Sequence, residues 1–225
     1  MSGVFKPNMR ILPAAQQRIW PELRRAGELG FALYGGTAIA LRLGHRPSVD
    51  FDFFSEQPLD RAAIREAFPF MSRAIVLQDQ RDALTVLVAD EHAENEYVKL
   101  SFFGTIGFGR VGAPDITEDG VLQVASLDDL IATKVKVILQ RVEAKDYRDI
   151  SAMVDAGVSL DKGLAAACEM YGVNFQPSES LKAMVYFEGG DLNTLTTEEK
   201  ISIVTAVSAV RDLPKVTILS RRLAA

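Results

Sequence analysis

Cysteine is almost absent: Cys168 is the only one in 225 residues. That excludes a disulfide within the chain and leaves no basis for a cysteine-built zinc cluster. Cys168 lies in the apolar run Leu164–Met170, where a thiol is expected to serve as core packing rather than as a nucleophile. Long hydrophobic runs are missing as well. No stretch approaches the roughly 18 consecutive apolar residues of a membrane helix, and the N-terminus lacks a signal-peptide pattern. The expectation is a cytoplasmic protein with no membrane partner. Also missing is the positive excess of a protein that coats nucleic acid. The 25 Lys and Arg are outnumbered by 30 Asp and Glu, giving a formal charge of −5 and a pI of about 5.2. RNA binding would need a local basic patch. There is no internal repeat and no low-complexity segment.

What is present is ordinary globular material, 48% hydrophobic and 24% charged, enough for a substantial core. Ala14–Leu29 has helical spacing and stops at Gly30. Phe31–Tyr34 reads as a strand entering a tight turn at Gly35-Gly36, and Thr37–Leu43 as a short helix. Val49–Phe54 has strand alternation, and Leu59–Ala67 is helical in pattern. Strands follow at Ala74–Leu77, Leu84–Ala89 and Tyr97–Phe103, with a further candidate at Val121–Ala125. After Ser126 the pattern turns helical: Leu127–Arg141, Lys145–Ala156, Leu160–Tyr171, Ser178–Phe187 and Thr197–Arg211. The expected organisation is an α+β core domain over residues 1–126 and a C-terminal helical domain over 127–225.

Residues two apart on a strand share a face. Asp50 and Asp52 therefore point one way, while Val49, Phe51 and Phe53 are expected to enter a core. Two neighbouring carboxylates repel each other unless a cation lies between them, and Mg²⁺, or Mn²⁺ in its place, is the natural occupant. Metal-assisted phosphoryl or nucleotidyl transfer is the chemistry such a pair supports. Taken alone, the alternation is also how a sheet edge keeps itself solvated, and alone it favours that reading. The upstream turn shifts the balance. Gly35-Gly36 lets the backbone approach a ligand, the following helix offers free N–H groups to phosphate, and Thr37 adds a hydroxyl. Asp50 lies thirteen positions after Thr37.

The stretch Tyr34-Gly35-Gly36-Thr37-Ala38-Ile39-Ala40-Leu41, followed by Gly44-His45-Arg46-Pro47-Ser48-Val49-Asp50-Phe51-Asp52-Phe53-Phe54, resembles the signature of the AbiEii/AbiGii toxin family. That family belongs to the DNA polymerase β-like nucleotidyltransferases, which pair a glycine turn with an acid-x-acid strand. A second block resembles its later motifs: Leu130-Ile131-Ala132-Thr133-Lys134, then Arg141, then Lys145-Asp146-Tyr147-Arg148-Asp149-Ile150. The resemblance implies a polymerase β-like core with a mixed sheet and Mg²⁺-dependent nucleotide transfer from an NTP. Studied members act as toxins, some on the tRNA acceptor end, and are encoded beside an antitoxin. It further implies that Asp50 and Asp52 hold the metal and that Lys134, Asp146 and Asp149 act catalytically. Gly35, Gly36, Thr37, Arg46, Ser48 and Arg141 would hold the nucleotide. One departure stands out: the superfamily often carries a third acid on a later strand, and here Ser101 occupies the expected place.

At about 100° per residue, Lys134, Arg141, Lys145 and Arg148 fall near one helix face, provided the helix continues through Glu143-Ala144. A triphosphate clamp on Lys134 and Arg141 is one reading, and a solvated stripe with Asp146 and Asp149 pairing to Lys145 and Arg148 is the other. Gly107–Gly112 spells the GxGxxG of dinucleotide sites, but Pro114, Asp115 and Gly120 follow where a helix should open, so a turn is expected. Two further functions stay open beside the nucleotidyltransferase: a non-catalytic member that binds nucleotide or a protein partner, and a small-molecule nucleotidyltransferase.

Overall fold

The computed structural model describes residues 3–225. Strands and helices in chain order are β1 (Val4–Phe5), α1 (Ala14–Ile19), β2 (Ala32–Tyr34), α2 (Gly35–Leu43), β3 (Asp50–Phe54) and α3 (Arg61–Ala67). Next come β4 (Ala74–Gln80), β5 (Ala83–Ala89), β6 (Tyr97–Phe103), β7 (Asp115–Thr117) and β8 (Gln123–Val124). The helices α4 (Leu127–Val137), α5 (Ala144–Asp155), α6 (Leu160–Tyr171), α7 (Pro177–Val185) and α8 (Thr197–Ala209) complete the chain. Two compact units result: one runs to Gly109 and includes Ala113–Ala125 and Ser220–Ala225, the other holds Arg110–Gly112 and Ser126–Leu219. Among the described residues, no helix is long and apolar enough to cross a membrane.

The first unit is built on a mixed eight-stranded sheet of order β1-β7-β8-β2-β3-β6-β5-β4. β3 lies antiparallel to β2 and parallel to β6, with Asp50 opposite Lys99 and Asp52 opposite Ser101. The alternation of β3 sends Phe51 and Phe53 into the core beside Leu100 and Phe102 of β6, all fully buried. Val49 does not join them; it is 52% exposed, just outside the strand. The expected single helix over Ala14–Leu29 gives way to a 3₁₀ segment at Trp20–Ala26. Pro21 explains the change, since it has no N–H to continue the α ladder. No helix opens after Gly107–Gly112; the loop-like stretch beyond it contains the short strand β7, which pairs with β8 and β1.

The second unit is helical. Ser126 caps α4 by accepting from Asp129 N–H, Ser159 caps α6, and Thr196 with Glu199 forms a capping box on α8. Its core holds Leu130, Ile131, Val135, Ile150, Met153, Leu164, Met184 and Ile203. Helices α4 and α6 meet at Gly163, where a Cβ would lie 2.7 Å from Ile131 Cγ2. Cys168 is only half-buried, not a core residue, and burial pushes its thiol pKa up. The condition for a continuous basic helix is not met: α4 stops at Val137, and α5 starts afresh with Ala144 N–H donating to Asp191 Oδ1 at 2.6 Å.

Within the first unit, Arg42 ties the end of α2 to the sheet. Its guanidinium donates to the Val124 and Ala125 carbonyls at 2.7–3.1 Å, pairs with Asp115 at 2.8 Å, and lies over the Phe5 ring. Burial pulls its pKa down against the upward effect of Asp115. Arg42→Met removes the side-chain donor to two carbonyls and the cation beside Asp115, which keeps the Gly3 N–H, so it should cost about 2–4 kcal/mol in urea unfolding. An unchanged midpoint would remove Arg42 from this role.

Candidate functional site

The site begins where β2 passes into α2. Gly35 has φ +74°, the left-handed region, and a Cβ there would sit 2.6 Å from Asp52 Oδ2. Only glycine can turn at this point and lie against that carboxylate. The contact follows from the antiparallel register, which sets Tyr34 opposite Asp52. The first N–H groups of α2, from Gly35, Gly36 and Thr37, have no partner within the helix, as at any helix start.

Thr37 is 2% exposed. Its hydroxyl donates to the Asp50 carbonyl and shares a 2.7 Å hydrogen bond with Ser48 Oγ. The two hydroxyls expected on phosphate are therefore spent on joining α2 to the start of β3. Arg46 lies in the loop between them and donates to the Pro47 carbonyl at 3.0 Å.

Asp50 and Asp52 are partly exposed on the face opposite Phe51 and Phe53. β6 lays Lys99 and Ser101 beside them, with Lys99 Nζ 3.4 Å from Asp50 Oδ2. Ser101 is 3% exposed and accepts from Thr85 Oγ1 at 3.4 Å. Among the described residues, no group of three or more His, Cys, Asp or Glu is placed to hold a metal. The pair still suits magnesium, which commonly takes one or two carboxylates and completes its shell with water and substrate phosphates. Lys99 escaped the sequence reading, although its even spacing from Ser101 already put it on this face.

The second block forms a separate cluster in the helical unit. Lys134 is 4% exposed, and its ammonium lies 2.6 Å from both Asp146 and Asp149, whose side chains are fully buried. Arg141, 45% exposed, donates to Asp146 at 2.8 Å. Lys145 and Arg148 turn elsewhere, to Glu143 at 2.7 Å and Glu199 at 3.3 Å, so neither the single basic stripe nor their pairing with the two aspartates is found. Two carboxylates thus face two cations, and Arg141 lies 3.6 Å from Glu143 as well. Burial would raise the Asp146 pKa, but the Arg141 hydrogen bonds and the Lys134 charge together hold it below the usual carboxylate range.

A family model described as nucleotidyl transferase AbiEii toxin, of type IV toxin–antitoxin systems, matches residues 22–201. The chain belongs to this family. It is also 33% identical over 161 residues to an uncharacterized protein of Aquifex aeolicus (strain VF5), covering 70% of this chain and 74% of that one. Both residue clusters lie inside the span matched by the AbiEii model.

In this AbiEii chain, Lys134 acts with Arg141 to keep the buried Asp146 carboxylate ionised, and it also contacts Asp149. A lowered Asp146 pKa adds stability above the ordinary carboxylate pKa, and that stability is lost as pH falls through the lowered value. Lys134→Met leaves the carboxylates short of one charge and should cost about 3–5 kcal/mol at neutral pH. The penalty should shrink towards pH 4, where protonation removes the uncompensated charge. Urea unfolding at the two pH values measures both, and a pH-independent penalty would contradict the ion-cluster account.

Proposed function

We propose that this AbiEii-family protein is a metal-dependent nucleotidyltransferase with a polymerase β-like core, moving a nucleotide from an NTP to an RNA acceptor, with tRNA the first candidate. The observation that carries the reading is the closeness of Gly35 to Asp52: a glycine turn at a helix start lies directly against one member of an acid pair. Asp50 and Asp52 would hold Mg²⁺ or Mn²⁺, which when bound supplies charge neutralisation on the reacting phosphoryl group. The N–H groups of Gly35, Gly36 and Thr37 would receive phosphate oxygens. Thr37 and Ser48 hold the start of β3 and so keep Asp50 in register with that turn. Arg46 lies in the loop leading into the acid strand and is assigned to the nucleotide.

Lys134, Asp146 and Asp149 act here as positioning residues, since all three are buried in mutual contact. Arg141 is the member of that cluster with large exposure, and the triphosphate contact is assigned to it. The type IV toxin–antitoxin description of the family supports a toxin role with a cognate antitoxin.

Ser101 supports one rival, a nucleotide-binding protein without transferase activity, because a hydroxyl brings no charge to a metal and is a poor base. Purified protein incubated with each labelled NTP, Mg²⁺, and either total tRNA or no RNA separates the readings. Transfer to tRNA is expected, falling at least about a hundredfold in Asp50→Ala. Label transfer that survives Asp50→Ala would sink the mechanism, and nucleotide binding without transfer to any acceptor would favour the rival.

A further inference from the structure

Three adjacent strands present one face to the acid pair. By register, β3 contributes Asp50, Asp52 and Phe54, β6 contributes Tyr97, Lys99, Ser101 and Phe103, and β5 contributes Ala83, Thr85, Leu87 and Ala89. Among these strand residues the charged ones are two carboxylates and one ammonium. Lys99 stands directly opposite Asp50, and its ammonium lies 3.4 Å from Oδ2. Its side chain is 42% exposed and that of Asp50 35%, so the pair is held loosely and can part.

A third acid in the place of Ser101 would make the face strongly negative and attract a bare cation. Ser101 withholds that charge, and Lys99 offsets that of Asp50. A divalent cation arriving alone meets, beside Asp50, an ammonium that repels it. A cation arriving on a triphosphate brings several negative charges with it, and the same ammonium then becomes an attractive partner. Lysine suits both states because its ammonium is a compact charge on a flexible stem with three rotatable donors.

We propose that Lys99 is the internal counter-ion of the acid pair. It pairs with Asp50 in the absence of nucleotide, opposes binding of free divalent metal, and turns to phosphate oxygens when a metal–nucleotide complex enters. The site is thereby selective for metal–NTP over free metal. This rests on the reading of Asp50 and Asp52 as the metal pair. Lys99 acts through Asp50 and through substrate charge, and no bond-breaking step is assigned to it.

The test uses the full chain as wild type, Lys99→Met, Lys99→Arg and Asp50→Asn, all at one pH. Electron paramagnetic resonance reads free Mn²⁺ binding, and calorimetry reads binding of a non-hydrolysable NTP analogue with Mg²⁺. Lys99→Met should bind Mn²⁺ about fivefold more tightly and the metal–nucleotide about fivefold more weakly, as the loss of one charge at contact range predicts. Lys99→Arg should stay near wild type in both. A merely structural lysine would move the two affinities together or not at all, and either result overturns the proposal. If wild type binds Mn²⁺ through Asp50 but Lys99→Met is unchanged, only this inference falls. If Asp50→Asn binds Mn²⁺ as well as wild type does, the acid-pair reading falls with it.

Discussion

The register of β3 is the constraint on which the rest depends. Its side chains alternate, so a slip of one residue would bring Asp50 and Asp52 into the core and expose Phe51 and Phe53. Burying two unpaired carboxylates while exposing two aromatic rings is a change no other element could offset. The register is held on both sides: Tyr34 opposite Asp52 on β2, and Leu100 and Phe102 opposite Phe51 and Phe53 on β6. It is held again at its start, where Thr37 grips the Asp50 carbonyl. The glycine turn, the acids and Lys99 are neighbours because this one strand lies where it does.

A different balance governs the helical unit. Taking the Asp146 and Asp149 carboxylates out of water costs several kcal/mol per ion, on the order of what a whole domain has to spare. Lys134 and Arg141 offset that cost. Apolar side chains of matching volume would fill the same space equally well or better. Stability alone therefore does not account for the ions.

Periodicity made most of the fold legible, because strands such as β3 and β6 and helices such as α6 are long enough to display a period. β1 and β7 are two and three residues long, too short to carry one, and their pairing comes from the sheet rather than from their own sequence. The end of α1 could have been read from Pro21. The break after Val137 could not, since the first N–H of α5 is bonded by Asp191, 47 positions away. The acid pair and its glycine turn were legible because their spacing is local. The orientation of the Thr37 and Ser48 hydroxyls was not, because it depends on how α2 packs against β3. Nor was the embrace of Lys134 by two aspartates, which needs α4 and α5 to be separate helices folded back on each other.

The return of Ser220–Ala225 to the first unit bears on how the chain is made. Leu223 is fully buried there, its N–H bonded to Glu56, and Ala225 N–H reaches Gln123. The unit that carries the acid pair is thus discontinuous, with the helical segment inserted before its final piece. Emerging from a ribosome, it cannot close until the helices have already been synthesised. A nascent chain that has not reached Ser220–Ala225 would lack the contacts these residues make to Glu56 and Gln123.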